Sequence, residues 1–342
     1  MIRFASTDEI DHWDTHVLAN PDGGNFFQSA QLADTKAATG WKIRYVMIDQ
    51  IAVTVHERHV PLLGRLWYVP KGPGVTMVPE LSSLVTELAT FARAHGVFVL
   101  KIEPELPASL RRELPSSWHQ VRPIQPNAST IVLDLTPPLD TIMASLHQKG
   151  RHAIRRAMRD GVTAEAVEFT GEHARTMYDL LEATAAGQFR IRSFAYQYGF
   201  WQRFADQGQG QLFFAYHEGR VVAAAFAIKF GHKGTYKDGA SIRERTTYGA
   251  SHLLQWQIIQ WMKAHDVTSY DLCGTPSSDR MHDESHPHYN IGRFKASFSK
   301  QVTDYIGAYD IAVRPLAYQI WSHIGERLLL RLHSRLHGDN WY

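Results

Sequence analysis

The segments "LSSLVTELATFARAHGVFVLKIEPE" (residues 81–105) and "SHLLQWQIIQWMKAHDVTSYDLCGT" (251–275) decide the fold, because the second repeats the layout of the first at an offset of 170 residues. Leu84 corresponds to Leu254, Leu88 to Ile258, Phe91 to Trp261, Ala94 and His95 to Ala264 and His265, and Val97 to Val267. In each copy the apolar residues recur at the spacing of one helix face, and a short polar turn leads into an apolar run of strand type. Each copy therefore predicts a helix followed by a strand. The stretches ahead of these helices correspond too: "WKIRYVMIDQIAVTVHER" and "RLWYVPKGPG" share their layout with "GQLFFAYHEGRVVAAAFAIKF" and "GTYKDGAS". Both halves read as strand, turn, strand, a further strand with a glycine-containing loop, helix and strand. Strands grouped ahead of a helix point to mixed α+β domains rather than a doubly wound sheet, and the matched order points to a duplicated fold.

The break between the copies is expected near 136–146, after the strand "STIVLDL", where Thr136-Pro137-Pro138 interrupts hydrogen bonding and a helix begins near Asp140. This divides the chain into domains 1–140 and 141–311. The remaining segment, 312–342, is expected to pack back on the first domain. Its apolar residues at 316, 320, 324, 328 and 332 describe one helical stripe, expected to be the packing face. Arg327, Arg331 and Arg335 flank that stripe, which leaves contact with an anionic membrane surface as a second reading.

The chain has 342 residues, 44% of them hydrophobic and 20% charged, which suits one large or two ordinary globular domains. Its single cysteine, Cys273, excludes internal disulfides and cysteine-based zinc clusters and fits a reducing compartment. The start "MIRFASTDEIDHW" lacks the apolar stretch of a signal peptide. The apolar run from Val221 to Ile228 ends at Lys229, well short of the roughly 18 residues that span a bilayer, so a cytoplasmic location is expected.

A net charge of +2 hides one local asymmetry. "HQKGRHAIRRAMRDG" (147–161) carries Lys149, Arg151, Arg155, Arg156 and Arg159 against the single acid Asp160. Arg151, Arg155 and Arg159 share one helical face, and Ile154, Ala157 and Met158 share another. A solvated face is one reading; a phosphate-attracting surface for RNA or an anionic substrate is the other.

"NIGRFKASFSKQV" (290–302) alternates in the manner of a half-buried strand, with Lys295 at its centre between Phe294 and Phe298. Such a lysine lies on a solvent face or points into a cleft to meet negative charge. "HDESHPH" (282–288) offers His282, Asp283, Glu284, His286 and His288, but Pro287 and the lack of helical spacing predict a polar loop and no metal site. Cys273 has no obvious neighbouring base and is not expected to be a nucleophile. The glycosylation triplet "NAS" at 127 has no consequence in a cytoplasmic protein.

Several separated motifs, in order, resemble the Fem-type (FemABX) non-ribosomal peptidyltransferases, the tRNA-dependent aminoacyltransferases of peptidoglycan interpeptide bridge synthesis. The resemblance spans about residues 20 to 320 and rests on "NFFQSAQLADTKAATGW", "STIVLDLTPPLDTIMASLHQKGRHAIRRAMRDGV", "GQFRIRSFAYQYGF" and "YDLCGT…IGRFKASFSKQVTDYIGAYD". It implies two tandem GNAT-like (acyl-CoA N-acyltransferase-like) domains, which agrees with the duplication. Because "FTGEHARTMYDLLEATAAGQF" has room for only one ordinary helix, the long coiled-coil arm of some relatives is not expected.

The reaction the resemblance implies is attack by a stem-peptide amine on the ester carbonyl of an aminoacyl-tRNA. Exchange of an ester for an amide runs downhill, so aminoacyl-tRNA is the co-substrate and no metal or organic cofactor is expected. The acceptor would be UDP-MurNAc-pentapeptide or its lipid-linked form, lipid II, and the protein a monomer with peripheral membrane contact as an option. Such a protein must hold two polyanions and stabilise a tetrahedral oxyanion.

By the same resemblance, Lys36 and Arg192 hold the diphosphate of the precursor, a planar fork and a point charge for phosphate oxygens. On composition alone Lys36 is a cation near the end of a short helix before Gly40. Tyr196 and Tyr236 match positions that contact the precursor. Tyr196 lies four residues after Arg192, on the same face if both are helical. Tyr236 is expected to end a strand beside the cleft, where it could hydrogen-bond the reacting centre; a core aromatic is the alternative for both. Lys295 matches the lysine that holds the tRNA acceptor end and supports the transferred aminoacyl group, with Phe294 beside it as a substrate contact and Phe294 and Phe298 anchoring the strand. Arg151, Arg155 and Arg159 complete the expected tRNA-binding set.

One departure is plain. "YVPKGPGVTMVPE" (68–80) places Gly74, Val75 and Thr76 where many relatives have a carboxylate, so Glu80 is too late and no general base is assigned. Other readings stay open. An acyl-CoA-dependent N-acyltransferase would need a glycine-rich pyrophosphate loop, but "RTTYGAS" (245–251) has Arg245, Gly249 and Ala250 without the first glycine. A non-catalytic RNA-binding protein would use only the arginine helix. The same transfer chemistry could also serve a protein or lipid amine.

Overall fold

The computed structural model describes residues 1–125, 128–186, 190–242, 248–337 and 341–342. The chain divides into two compact units, Met1–Pro126 with Tyr305–Tyr342, and Asn127–Asp304.

In the first unit the strands are β1 (Ile2–Phe4), β2 (Lys42–Ile48), β3 (Ile51–Val60), β4 (Gly64–Val69), β5 (Val97–Ile102) and β6 (His119–Val121). β2, β3 and β4 form an antiparallel meander; the helix Val78–Ala94 then carries the chain across so that β5 pairs parallel to β4. That helix buries Val78, Leu81, Val85, Leu88 and Ala92 against Val46, Val53, Val55, Trp67 and Val69 on one sheet face. Leu66, Tyr68, Phe98 and Val99 face the other way.

The second unit holds β7 (Ser129–Thr130), β8 (Val132–Asp134), β9 (Thr163–Val167), β10 (Gly210–His217), β11 (Arg220–Phe230), β12 (Lys233–Ser241), β13 (Ser269–Asp271) and β14 (Thr303–Asp304). Six of them make a sheet in the order β8-β13-β12-β11-β10-β9, and β14 pairs with β7. β10, β11 and β12 are an antiparallel meander, and the helix Ala250–Ala264 leads to β13, which runs parallel to β12. The meander, crossover helix and single parallel pair of the first unit are thus repeated in the second. Leu88 and Ile258, matched in sequence, are both fully buried. The architecture is α+β with two GNAT-like units, and the segment 170–186 is one ordinary helix, Gly171–Ala185, rather than an arm.

Two boundaries differ from the sequence reading. The stretch "STIVLDL" pairs with β13 and β14, so the break falls ahead of it and not at 136–146. A strand belongs where its N–H and C=O groups find partners, and Thr136–Pro138 merely separates β8 from the helix Leu139–Ser145. After β14 the chain enters the first unit as β15 (Ala308–Ala312), between β5 and β6, which moves residues 305–311 out of the second domain. Asp310 lies opposite Lys101 in that register and pairs with it at 2.7 Å, both side chains almost wholly buried.

The C-terminal helix also turns differently. It runs through Pro315–Ile320, a π turn at Trp321–Gly325 and Glu326–His337. Tyr318 and Trp321 are buried, with Leu329 and Leu330 partly so, among Trp41, Leu66, Phe98 and Trp341 of the first unit. The stripe expected to pack, Leu316, Ile320, Ile324, Leu328 and Leu332, is exposed. The larger aromatic surfaces of Tyr318 and Trp321 have taken the inward side.

Candidate active site

β12 and β13 stay paired for only three residues, from Lys233↔Ser269 to Thr235↔Asp271. Beyond Thr235, β12 continues to Ser241 with β11 alone. The sheet therefore opens at the carboxyl ends of its parallel pair, with Tyr236, Lys237 and Asp238 following on one strand and Cys273 and Gly274 on the other. β12 carries a bulge here: Ala227 opposes Tyr236 and Phe226 opposes Asp238, so Lys237 has no opposite number. An extra residue of this kind re-aims its neighbours' side chains.

Lys295 is not on a strand. It is the last residue of the helix Tyr289–Lys295, and its Nζ donates to the carbonyl oxygens of Cys273 (3.0 Å) and Gly274 (2.7 Å). The side chain is buried and meets main-chain dipoles rather than a carboxylate, and among the described residues its third N–H donor has no acceptor. Cys273 adopts a left-handed backbone (φ 62°), and its N–H donates to Asp271 Oδ1 at 2.6 Å, an oxygen that also accepts from the Thr130 hydroxyl. Burial lowers the Lys295 pKa, against the opposing pull of Cys273 and Asp271.

The alternation expected of a strand does not hold here, because Phe294 and Phe298, four residues apart, suit a helical spacing as well as an alternating one. Their rings meet edge to face at 5.5 Å and both pack on His252, Phe294 at 4.9 Å. Phe294 is thus partly buried against the core. Gly292 sits where a Cβ would come within 2.6 Å of Pro276, which holds the helix close to the strand end.

Tyr236 lies within β12 and not at its end. Burial, with Asp238 and Cys273 nearby, pushes its phenol well above the ordinary range, while Gln255 offers a hydrogen bond. The hydroxyl is a proton-bearing donor. Space for it exists because residue 239 is glycine.

Lys237, next in the chain, is not among the residues the sequence motifs point to. Its Nζ lies 3.1 Å from Asp238 Oδ1 and 4.8 Å from the Phe200 ring centre, and Trp201 Nε1 donates to Asp238 Oδ2 at 2.9 Å. Burial works against the ammonium, but Asp238, with Tyr196 and Cys273 in support, outweighs it and raises the pKa. A charged lysine is held beside Tyr196. The adjacent Lys-Asp pair in a strand otherwise free of acids was the available signal.

Arg192 precedes the helix Phe194–Asp206 instead of lying in it, so the expected shared helix face does not exist. The two residues still meet, because the Ser193 cap turns the chain and leaves the Arg192 guanidinium 5.3 Å from the Tyr196 ring centre. The first three residues of the motif beginning at Gly187 lie outside the described residues. Lys36 stands in the other unit, in the last turn of the helix Ala30–Ala37.

The basic helix spans Gln148–Arg159. A Cβ at Gly150 would lie 2.1 Å from Ser297 O, and one at Gly249 2.2 Å from Ala153 O, so the first half of its buried face is in close backbone contact at Gly150 and Ala153. Arg155 and Arg159 are exposed. Arg151 instead folds back to donate to the carbonyls of Ala144 and Leu146, and Met158, 49% exposed, does not join Ile154 and Ala157 in the core. Among the described residues no group of three or more His, Cys, Asp or Glu is placed to hold a metal ion. Gly249 (φ 84°) and Ala250 open the helix Ala250–Ala264; Arg245 and Asn127 lie outside the described residues.

Residues 9–117 match the FemAB family, and residues 148–286 match the acetyltransferase (GNAT) domain. The chain is 20% identical to a lipid II:glycine glycyltransferase of Staphylococcus saprophyticus, over 92% of this chain and 94% of that protein, and 20% identical to one of Staphylococcus aureus over the same shares. Among solved structures, FemX superposes with a TM-score of 0.77 at 18% identity, covering 94% of this chain and 99% of its own. L-PGS from Bacillus licheniformis has a TM-score of 0.56 at 13% identity, covering 94% and 97%.

Proposed function

We propose that this chain, whose residues 9–117 match the FemAB family and whose fold resembles that of FemX, transfers an amino acid from aminoacyl-tRNA to the side-chain amine of a peptidoglycan-precursor stem peptide, building an interpeptide bridge. The relatives named lipid II:glycine glycyltransferase support a cell-wall precursor as acceptor. The observation that carries the reading is the buried Lys295 ammonium, tethered by two carbonyls at the open end of β12 and β13.

In the step proposed, the acceptor nitrogen attacks the ester carbon, and the carbonyl π pair moves to oxygen. A C–N bond forms. Tyr236, held protonated, donates a hydrogen bond to the developing oxyanion, and the remaining Lys295 N–H supports the same charge or a phosphate of the acceptor stem. Collapse breaks the C–O bond to the ribose, whose oxygen takes a proton, while the attacking nitrogen releases one to substrate or water. Both Asp238 oxygens are engaged by Lys237 and Trp201, so Asp238 positions Lys237 and is not assigned as base. Arg192, with Tyr196 under the guanidinium, supplies a cation to the precursor diphosphate, and Arg155 and Arg159 supply cations to the tRNA backbone. No metal or organic cofactor enters the scheme. The protein would work as a cytoplasmic monomer, at the membrane face when the acceptor is lipid-linked.

The test is mass spectrometry of UDP-MurNAc-pentapeptide and of lipid II after incubation with the protein and mixed aminoacyl-tRNAs. A gain of one aminoacyl residue, lost in Lys295→Ala, is expected. No gain on either acceptor while charged tRNA stays intact overturns the proposal. Micromolar binding of acetyl-coenzyme A in a calorimetric titration would favour the acyl-CoA-dependent reaction instead.

A further inference from the structure

We propose that the outward face of the C-terminal helix lies in the surface of an anionic lipid bilayer. Leu316, Ile320, Ile324, Leu328, Leu332 and Leu336 are 45% to 79% exposed. Scattered exposed leucines are ordinary on a protein surface, but six in one stripe are not. In an α-helix a four-residue repeat drifts by about 40° per step, since a turn takes 3.6 residues. The π turn at Trp321–Gly325 takes more residues per turn and recovers part of that drift, keeping the stripe outward over about 30 Å. The helix cannot roll to hide it. Trp321 and Tyr318 are buried on the opposite side, and a Cβ at Gly325 would lie 3.3 Å from the Trp321 ring.

Charge identifies the occupant. Arg314, Arg327, Arg331 and Arg335 are exposed along the same helix, and its one acid, Glu326, accepts a hydrogen bond from the Tyr342 hydroxyl. An apolar stripe flanked by arginines suits the headgroup boundary of a negatively charged leaflet, where leucines enter the acyl layer and guanidinium groups meet phosphates. No helix among the described residues is long and apolar enough to cross a membrane, so the helix would lie in the surface plane. A second apolar prong stands nearby: Leu62, fully exposed with φ 66° at the β3–β4 turn, adjoins Leu63, which reaches the helix at Gly325. This inference stands on the exposed face and does not require the transfer reaction, although a lipid-linked acceptor would lie in the same surface.

Co-sedimentation of the full chain with vesicles tests it, comparing phosphatidylglycerol mixed with phosphatidylcholine against phosphatidylcholine alone. Binding to the anionic vesicles at least about tenfold tighter, weakened by salt, is expected. Leu328→Glu with Leu332→Glu, at exposed positions, should abolish it, and Arg327→Gln with Arg331→Gln should reduce it. Equal or absent binding to both vesicles overturns the proposal, as does binding unchanged in the double-glutamate variant. Concentration-dependent self-association abolished by that variant would assign the face to a second copy of the chain. Transfer to the soluble UDP-linked acceptor, measured in the same variant, should be unchanged, so failure of the membrane surface and failure of the proposed reaction are told apart.

Discussion

A methyl group on Gly239 would sit 1.6 Å from the hydroxyl oxygen of Tyr236, so the phenol occupies the space that any other side chain at 239 would fill. The two residues flank the bulge at Lys237, and the glycine is what lets the tyrosine hydroxyl lie back along its own strand. Gly239→Ala should therefore lower transfer about as much as Tyr236→Phe, with a stability loss of about 1–3 kcal/mol from overpacking. Parallel turnover and urea-unfolding measurements on both variants check this; an active Gly239→Ala enzyme would remove the tyrosine from the reaction.

Lys295→Met should lose transfer and cost about 1–3 kcal/mol, because the carbonyls of Cys273 and Gly274 lose their buried donor. Lys295→Arg should recover stability more than turnover, since the guanidinium reaches the carbonyls with a different shape. Unfolding midpoints set beside rates separate the two effects.

The arginines of the basic helix should divide by role. Arg151→Ala removes donors from Ala144 O and Leu146 O and should cost about 1–2 kcal/mol. Arg155→Ala with Arg159→Ala should change stability by no more than about 0.5 kcal/mol yet weaken tRNA binding and flatten its salt dependence. Thermal melts and filter binding at several salt concentrations read both.

His252 ties stability to pH. Burial lowers its imidazole from 6.5 to about 4, with Nε2 2.9 Å from the Ser297 hydroxyl oxygen. The unfolded chain takes up a proton near pH 6.5 that the folded chain refuses, so this contribution is complete above 6.5 and is lost as pH falls towards 4, by up to about 3 kcal/mol. His56 and His288 are lowered in the same direction, so His252→Asn should flatten the slope rather than abolish it. Denaturant unfolding between pH 5 and 8 measures the difference.

Lys101→Met should be among the most damaging single changes, at about 3–5 kcal/mol, because it strands the Asp310 carboxylate inside the sheet. Lys101→Met with Asp310→Leu should restore much of the loss. Urea midpoints of the single and double variants decide it.

The duplication, the order of elements in each half, the basic helix and the helix before Gly40 could all be read from the chain, because helix and strand periodicity are set by neighbours a few residues away. The bulge at Lys237 could not, since a bulge is a relation between two strands and not a property of one. The side on which "STIVLDL" pairs and the return of β15 beside Lys101 likewise rest on partners more than a hundred residues distant. Around Lys295, thirteen residues satisfied two periods at once, and only the carbonyls of Cys273 and Gly274, brought there by β13, show why a helix ends with its lysine turned inward. The C-terminal stripe makes the same point for a whole face. Its four-residue spacing marks Leu316 to Leu332 as one surface, but which surface is buried was decided by competition for the sheet, and Tyr318 and Trp321, with more apolar area to remove from water, hold the inside.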